Sequence, residues 1–199
     1  MLKREGRTEK GLLSGWSSVL RICRARIPWL LLLMLSASLV GRIIGQFEAT
    51  LAEKAILVTY LPMLMGTGGN CGNQATASFI CQHALGRIRQ REGLNLLWTE
   101  LKVGMLCGLG LAVVCVVKIL LLDRHLLGLS DADAALALTV SAALLVTVVT
   151  AKLLGVLLPL LISRLGADPA VVSGPLVSTA VDAAALVTYL SLARRLFGL

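Results

Sequence analysis

The chain has 199 residues and a formal net charge of +8, yet only 15% of its residues are charged, 57% are hydrophobic and the mean hydropathy is +0.85. A soluble domain carries about 25% charged residues, so a soluble enzyme or binding module is excluded. The basic residues gather near the ends of apolar runs and in the N-terminal tail, and the few aromatics do not interleave with them. No base-stacking platform for nucleic acid is therefore visible.

Residues 1–26 come first in chain order. They are not a secretory signal, because no apolar core precedes a cleavage site. Leu12, Leu13, Trp16, Val19, Leu20 and Cys23 recur at helical spacing, with Ser and Arg on the other face. This predicts a short amphipathic helix on the cytoplasmic leaflet. Residues 27–199 then form the membrane part. Its apolar runs are long enough to cross a hydrocarbon core roughly 30 Å thick. Five spans are predicted: Ile27 to Phe47, Ala55 to Ile80, Leu97 to Leu122, Ala134 to Ser163 and Ala170 to Ala193. Backbone groups in lipid must bond internally, so runs of this length are helices and not barrel strands. The expected fold is an all-α polytopic membrane protein.

Orientation follows from Lys and Arg near the span ends. The tail, the loop with Arg87, Arg89 and Arg91, and the turn with Arg164 share one side, which is then cytoplasmic. The C-terminus lies outside, and the setting is a cell inner (plasma) membrane. The outer side carries Glu48, Glu53, Asp123, Asp131 and Asp133. These acids either complement the positive-inside bias or gather cations at an entrance, with Glu48 and Glu53 the candidates. The five cysteines lack CxxC spacing and read as small apolar residues.

Two stretches within the spans carry unusual chemistry. In PMLMGTGGNCGNQAT, residues 62–76, Pro62 and four glycines predict irregular backbone, which membranes tolerate beside protein or a wet cavity. Asn70, Asn73, Gln74 and Thr76 add amides and a hydroxyl there, as a polar helix seam or a cavity wall. The second stretch surrounds Asp182, roughly 18 Å along a helix from Ala170 and so near mid-membrane. A charge at that depth costs at least about 2.5 kcal/mol on insertion scales, which makes it a functional candidate. Ser178, Thr179, Ala180, Ala183, Ala184 and Ala185 around it leave room for a helix or for water. Lys152 lies at matching depth on the antiparallel fourth span. It either pairs with Asp182 and neutralises it, or snorkels toward polar surroundings.

At these residues the chain resembles a known family. The segments GTGGNCGNQ and LGADPAVVSGPLVST, with Asp182 after them, are similar to the transmembrane domain of MgtE-type magnesium channels. The resemblance covers about Arg26 to Ala193 and the five-helix order. It does not extend to that family's cytoplasmic N-terminal domain and CBS modules, and the residues name no regulatory partner. The resemblance implies a homodimer with a pore between subunits, conducting Mg²⁺ down its gradient. It implies that Asp182 of each subunit holds a hydrated ion, that Asn73 and Ser178 shape the site, and that Asp168 lies near the inner mouth. Gln74, Thr76, Thr179 and Ala185 are further pore-lining candidates. The chemistry agrees, since Mg²⁺ keeps several waters and binds through one or two carboxylates.

Other functions compete. A carrier coupled to another gradient would use a Lys152–Asp182 pair that opens and closes, and a non-conducting scaffold would make the glycine seams structural. An intramembrane aspartyl protease needs two acids sharing a proton. Asp182 is the one acid expected deep in a span, so no enzyme is expected.

Overall fold

The computed structural model describes residues 16–86, 90–166 and 168–198. Among them no strand occurs, and the chain is a series of helices. These are α1 (Trp16–Gln46), α2 (Glu48–Glu53), α3 (Leu57–Ala84), α4 (Gln90–Val117) with a π-helical continuation (Lys118–Leu126), α5 (Ala134–Arg164) and α6 (Pro169–Phe197). Among the described residues four stretches are long and apolar enough to cross a membrane: Ser18–Gln46, Glu92–Leu126, Ala134–Arg164 and Ser173–Phe197. The remaining long helix, α3, has 28 residues and reaches about 42 Å. Its amides and glycines, not its length, set it apart from the other four.

The described residues fall into two units, one ending at Ser38 and one beginning at Leu39. In the first, residues 16–26 are helical and continue through Pro28 without a break. Leu30, Leu31, Met34 and Leu35 are exposed there, as side chains facing lipid should be. The rest of the expected amphipathic segment, including Leu12 and Leu13, lies outside the described residues, as do Arg87 and Arg89.

In the second unit α5 is the central helix, packed against α3, α4 and α6, while α3 also packs on α6. Small residues make this closeness feasible. A Cβ on Gly68 would stand 2.7 Å from Thr147 Cγ2, and one on Gly108 would stand 2.8 Å from Leu145 Cδ1. The core is built from Leu57, Tyr60, Leu64, Leu136, Val140, Val148, Leu186 and Tyr189. The outward face of α4 is apolar, with Leu106 79% exposed and Leu109, Val113 and Val114 beside it.

The expectation of irregular backbone at residues 62–76 is corrected. They lie inside one continuous helix, α3. Pro62 sits in its second turn, where one backbone bond is lost, and Gly68 and Gly72 serve as contact points with α5 and α6. The acidic outer face is also thinner than its sequence implies. Asp123 is only 2% exposed, and its Oδ2 accepts from Tyr60 Oη at 2.9 Å and from Lys118 Nζ at 2.8 Å. Asp133 caps α5, accepting from the Leu136 amide at 2.7 Å. Asp133→Ala is expected to lower stability by about 1 kcal/mol, read as a lower unfolding midpoint in detergent. An unchanged midpoint would show the cap to be dispensable.

At the other end of α5, Gly166 has φ +77°, a conformation only glycine adopts freely, and this lets the chain reverse. Asp168 then caps α6 by accepting from the Ala170 amide at 2.9 Å, with Pro169 opening the helix.

Candidate ion site

The face of α3 that carries Gly66, Asn70 and Asn73 is exposed, although it belongs to a helix long enough to span a membrane. Together with α6 it forms an open cleft of about 250 Å³ lined by Met65, Gly66, Gly69, Asn70, Asn73, Ser178 and Asp182. Helical periodicity explains the grouping. Residues 66, 69/70 and 73 recur at three- and four-residue steps on α3, and Ser178 and Asp182 stand one turn apart on α6. Glycine at 66 and 69 keeps the floor low, so that amides and carboxylate form the walls.

The Asn73 Nδ2 donates to Ser178 Oγ at 3.1 Å, which ties the two helices at the cleft. Asp182 is half-buried, and among the described residues its carboxylate has no hydrogen-bond or ion-pair partner. No group of three or more His, Cys, Asp or Glu gathers as a metal site among them either. A lone carboxylate flanked by amides and a hydroxyl is poorly suited to a bare cation. It is well suited to a cation that brings its own water.

The other sequence candidates fall elsewhere. Thr76 is 3% exposed and its Oγ1 donates to the Gly155 carbonyl at 2.9 Å, so it serves the α3–α5 contact. Ala185 is packed in the interior, and Thr179 donates back to the Pro175 carbonyl of its own helix at 3.0 Å. Glu48 borders a separate groove with Gly41, Ile44, Gly45, Leu51 and Ala52, and Glu53 is exposed at the end of α2. Neither lines the cleft.

Lys152 needs a correction. It does not pair with Asp182: its ammonium lies 3.4 Å from Glu100 Oε2 on α4, and it donates to Gln74 Oε1 at 3.4 Å. Glu100 is itself only 8% exposed, so Asp182 is not the one acid within the spans. Its signal in the sequence was an acid three residues inside the third apolar run, one helical turn before Gly104.

Long apolar helices with amides and a free carboxylate on the open face of two of them define a polytopic membrane protein with a polar cleft. Residues 61–192 match the family model MgtE, described as divalent cation transporter. The chain belongs to this family. It is 39% identical over 172 residues to the magnesium transporter MgtE of Thermus thermophilus, an overlap covering 86% of this chain and 36% of that protein. It is 28% identical over 176 residues to the magnesium transporter MgtE of Enterococcus faecalis, covering 87% and 37% respectively. With the magnesium transporter MgtE of Bacillus subtilis it shares 28% over 172 residues, covering 84% and 36%. The chain thus spans little more than a third of the length of these relatives.

Proposed function

We propose that this chain forms a homodimeric Mg²⁺ channel in which the α3–α6 clefts of two copies face each other and the two Asp182 carboxylates share a hydrated ion. The observation that carries this reading is the unpartnered Asp182 in a cleft walled by Asn70, Asn73 and Ser178. Lipid cannot satisfy amides or a carboxylate, so a face of this kind needs a protein or aqueous partner. A second copy supplies one, and two carboxylates that would repel each other are reconciled by a cation between them. The three named relatives are magnesium transporters, which favours Mg²⁺ as cargo.

In this reading α1, α3, α4, α5 and α6 span the membrane, with the N-terminus cytoplasmic and the C-terminus outside. Asp168 then stands at the cytoplasmic end of α6, toward the inner mouth. Conduction needs only that the ion exchange carboxylate, amide and hydroxyl contacts through its own water. No group in the cleft has to leave or enter a covalent bond. The coupled-carrier alternative loses its device, because Lys152 is held by Glu100.

The test is Mg²⁺ uptake into proteoliposomes with a trapped Mg²⁺-sensitive dye. Uptake is expected to follow the Mg²⁺ gradient and membrane potential, and to persist when proton and sodium gradients are collapsed. Dependence on either gradient would favour a carrier. No uptake by a folded dimer would favour the scaffold.

A further inference from the structure

Lys152 is 5% exposed and Glu100 8%, so their ion pair is almost wholly inside the bundle. Gly104, one turn beyond Glu100 on α4, makes space for the lysine stem: a Cβ there would stand 3.4 Å from Lys152 Cβ and Cγ. The stem crosses this notch, and the ammonium reaches Glu100 on one side and the Gln74 amide oxygen on the other, each at 3.4 Å. One cation on the central helix thereby ties α4 to α3 at a polar contact, beside the apolar cluster in which Phe79 of α3 and Leu96 of α4 take part.

Stability alone does not account for such a device. Desolvating two charges offsets most of their attraction, and a well-packed apolar pair would hold the helices as firmly. The position of Gln74 supplies a better reason. It follows Asn73 directly, and neighbouring residues on a helix stand about 100° apart around the axis. Gln74 is thus drawn back toward Lys152 while Asn73 is presented to the cleft, where it donates to Ser178. Gly72 and Thr76 determine how closely α3 approaches α5. Gln74 lies at the edge of that contact, where its amide oxygen accepts from Lys152.

We propose that Lys152 is a positioning residue for the ion cleft: held by Glu100, it fixes Gln74 and with it the rotational setting of the Asn73 amide beside Asp182. The proposal rests on the channel reading above. It differs from a charge pair with Asp182, because Lys152 acts through α3 and not on the acid.

The experiment measures the half-saturating Mg²⁺ concentration and the preference for Mg²⁺ over Ca²⁺ in proteoliposomes, together with the unfolding midpoint. Gln74→Ala changes an exposed side chain, and Glu100→Gln with Lys152→Met removes both charges together. Each is expected to raise half-saturation about threefold or more and to weaken the preference for Mg²⁺, as coupling between contacting residues does. Lys152→Arg keeps a cation within reach of both partners and should stay within about twofold of wild type. A merely structural pair would lower the midpoint and leave half-saturation and preference unchanged. Gln74→Ala matching wild type in both would overturn the proposal, whether or not the double variant folds. Asp182→Asn, run alongside, separates the two levels. If it abolishes uptake while Gln74→Ala is silent, only this inference fails. If it conducts like wild type, the channel site itself is misassigned.

Discussion

Asp182→Asn is expected to cut Mg²⁺ uptake about tenfold or more while leaving a folded protein. Among the described residues the carboxylate holds no partner, so the amide breaks no bond there and fits the same space. In the proposed channel the loss falls on the ion. Two unit charges 4 Å apart in a medium of effective dielectric 20 attract by about 4 kcal/mol, and a divalent ion doubles this. Intervening water and screening reduce the figure, but even a fifth of it exceeds the about 1.4 kcal/mol that makes a tenfold change. Wild type and Asp182→Asn should elute alike on size exclusion and unfold at similar temperatures in detergent. Equal uptake by both would remove the carboxylate from the conduction path.

The other large effect is steric. Gly155→Ala is expected to destabilise the bundle by about 3 kcal/mol, at the upper end of what overpacking a core does. A Cβ at residue 155 would collide with the Gly72 carbonyl oxygen and stand 2.8 Å from Ala75 Cβ. The first of these is backbone, so no side-chain rotation relieves it. Moving α3 away would also strain the Thr76 Oγ1 bond to the Gly155 carbonyl, and a buried hydrogen bond contributes about 1 kcal/mol. Gly45→Ala is the control: a Cβ there meets nothing within 4 Å, and alanine improves helix propensity by up to about 1 kcal/mol. The unfolding midpoint should fall sharply for the first and hold or rise for the second. A Gly155→Ala protein as stable as wild type would show that α3 and α5 can separate freely.

What the sequence disclosed depended on whether a residue's burden was local. Long apolar runs require helices wherever they occur, so membrane class and most element positions followed from composition and length. Asp182 was legible for the same reason, since a charge in such a run is conspicuous alone. The role of each polar residue on α3 was not legible. Asn73, Gln74 and Thr76 lie within one turn, yet one faces the cleft, one meets Lys152 and one bonds the α5 backbone. Those directions depend on which helix lies on which side. The glycines misled for a related reason. Their cost as helix residues is a local property, whereas their use at Gly68, Gly72 and Gly155 appears only when another backbone arrives. Glu100 escaped notice because its partner is 52 residues further along the chain.

The π-helical stretch has a consequence for how the end of α4 meets its surroundings. Side chains five residues apart on an α-helix stand about 140° apart around the axis and do not face each other. Lys118 and Asp123 are five apart and touch at 2.8 Å, because the wider turn absorbs one residue more than an α-turn holds. The helix therefore undergoes a phase slip between Val117 and Leu127. Asp123 is brought under Tyr60 while its neighbours Leu121 and Leu122 stay outward. Faces assigned with a single 3.6-residue period running through this stretch will be out of step beyond it, and the ladder must be counted afresh from Asp123.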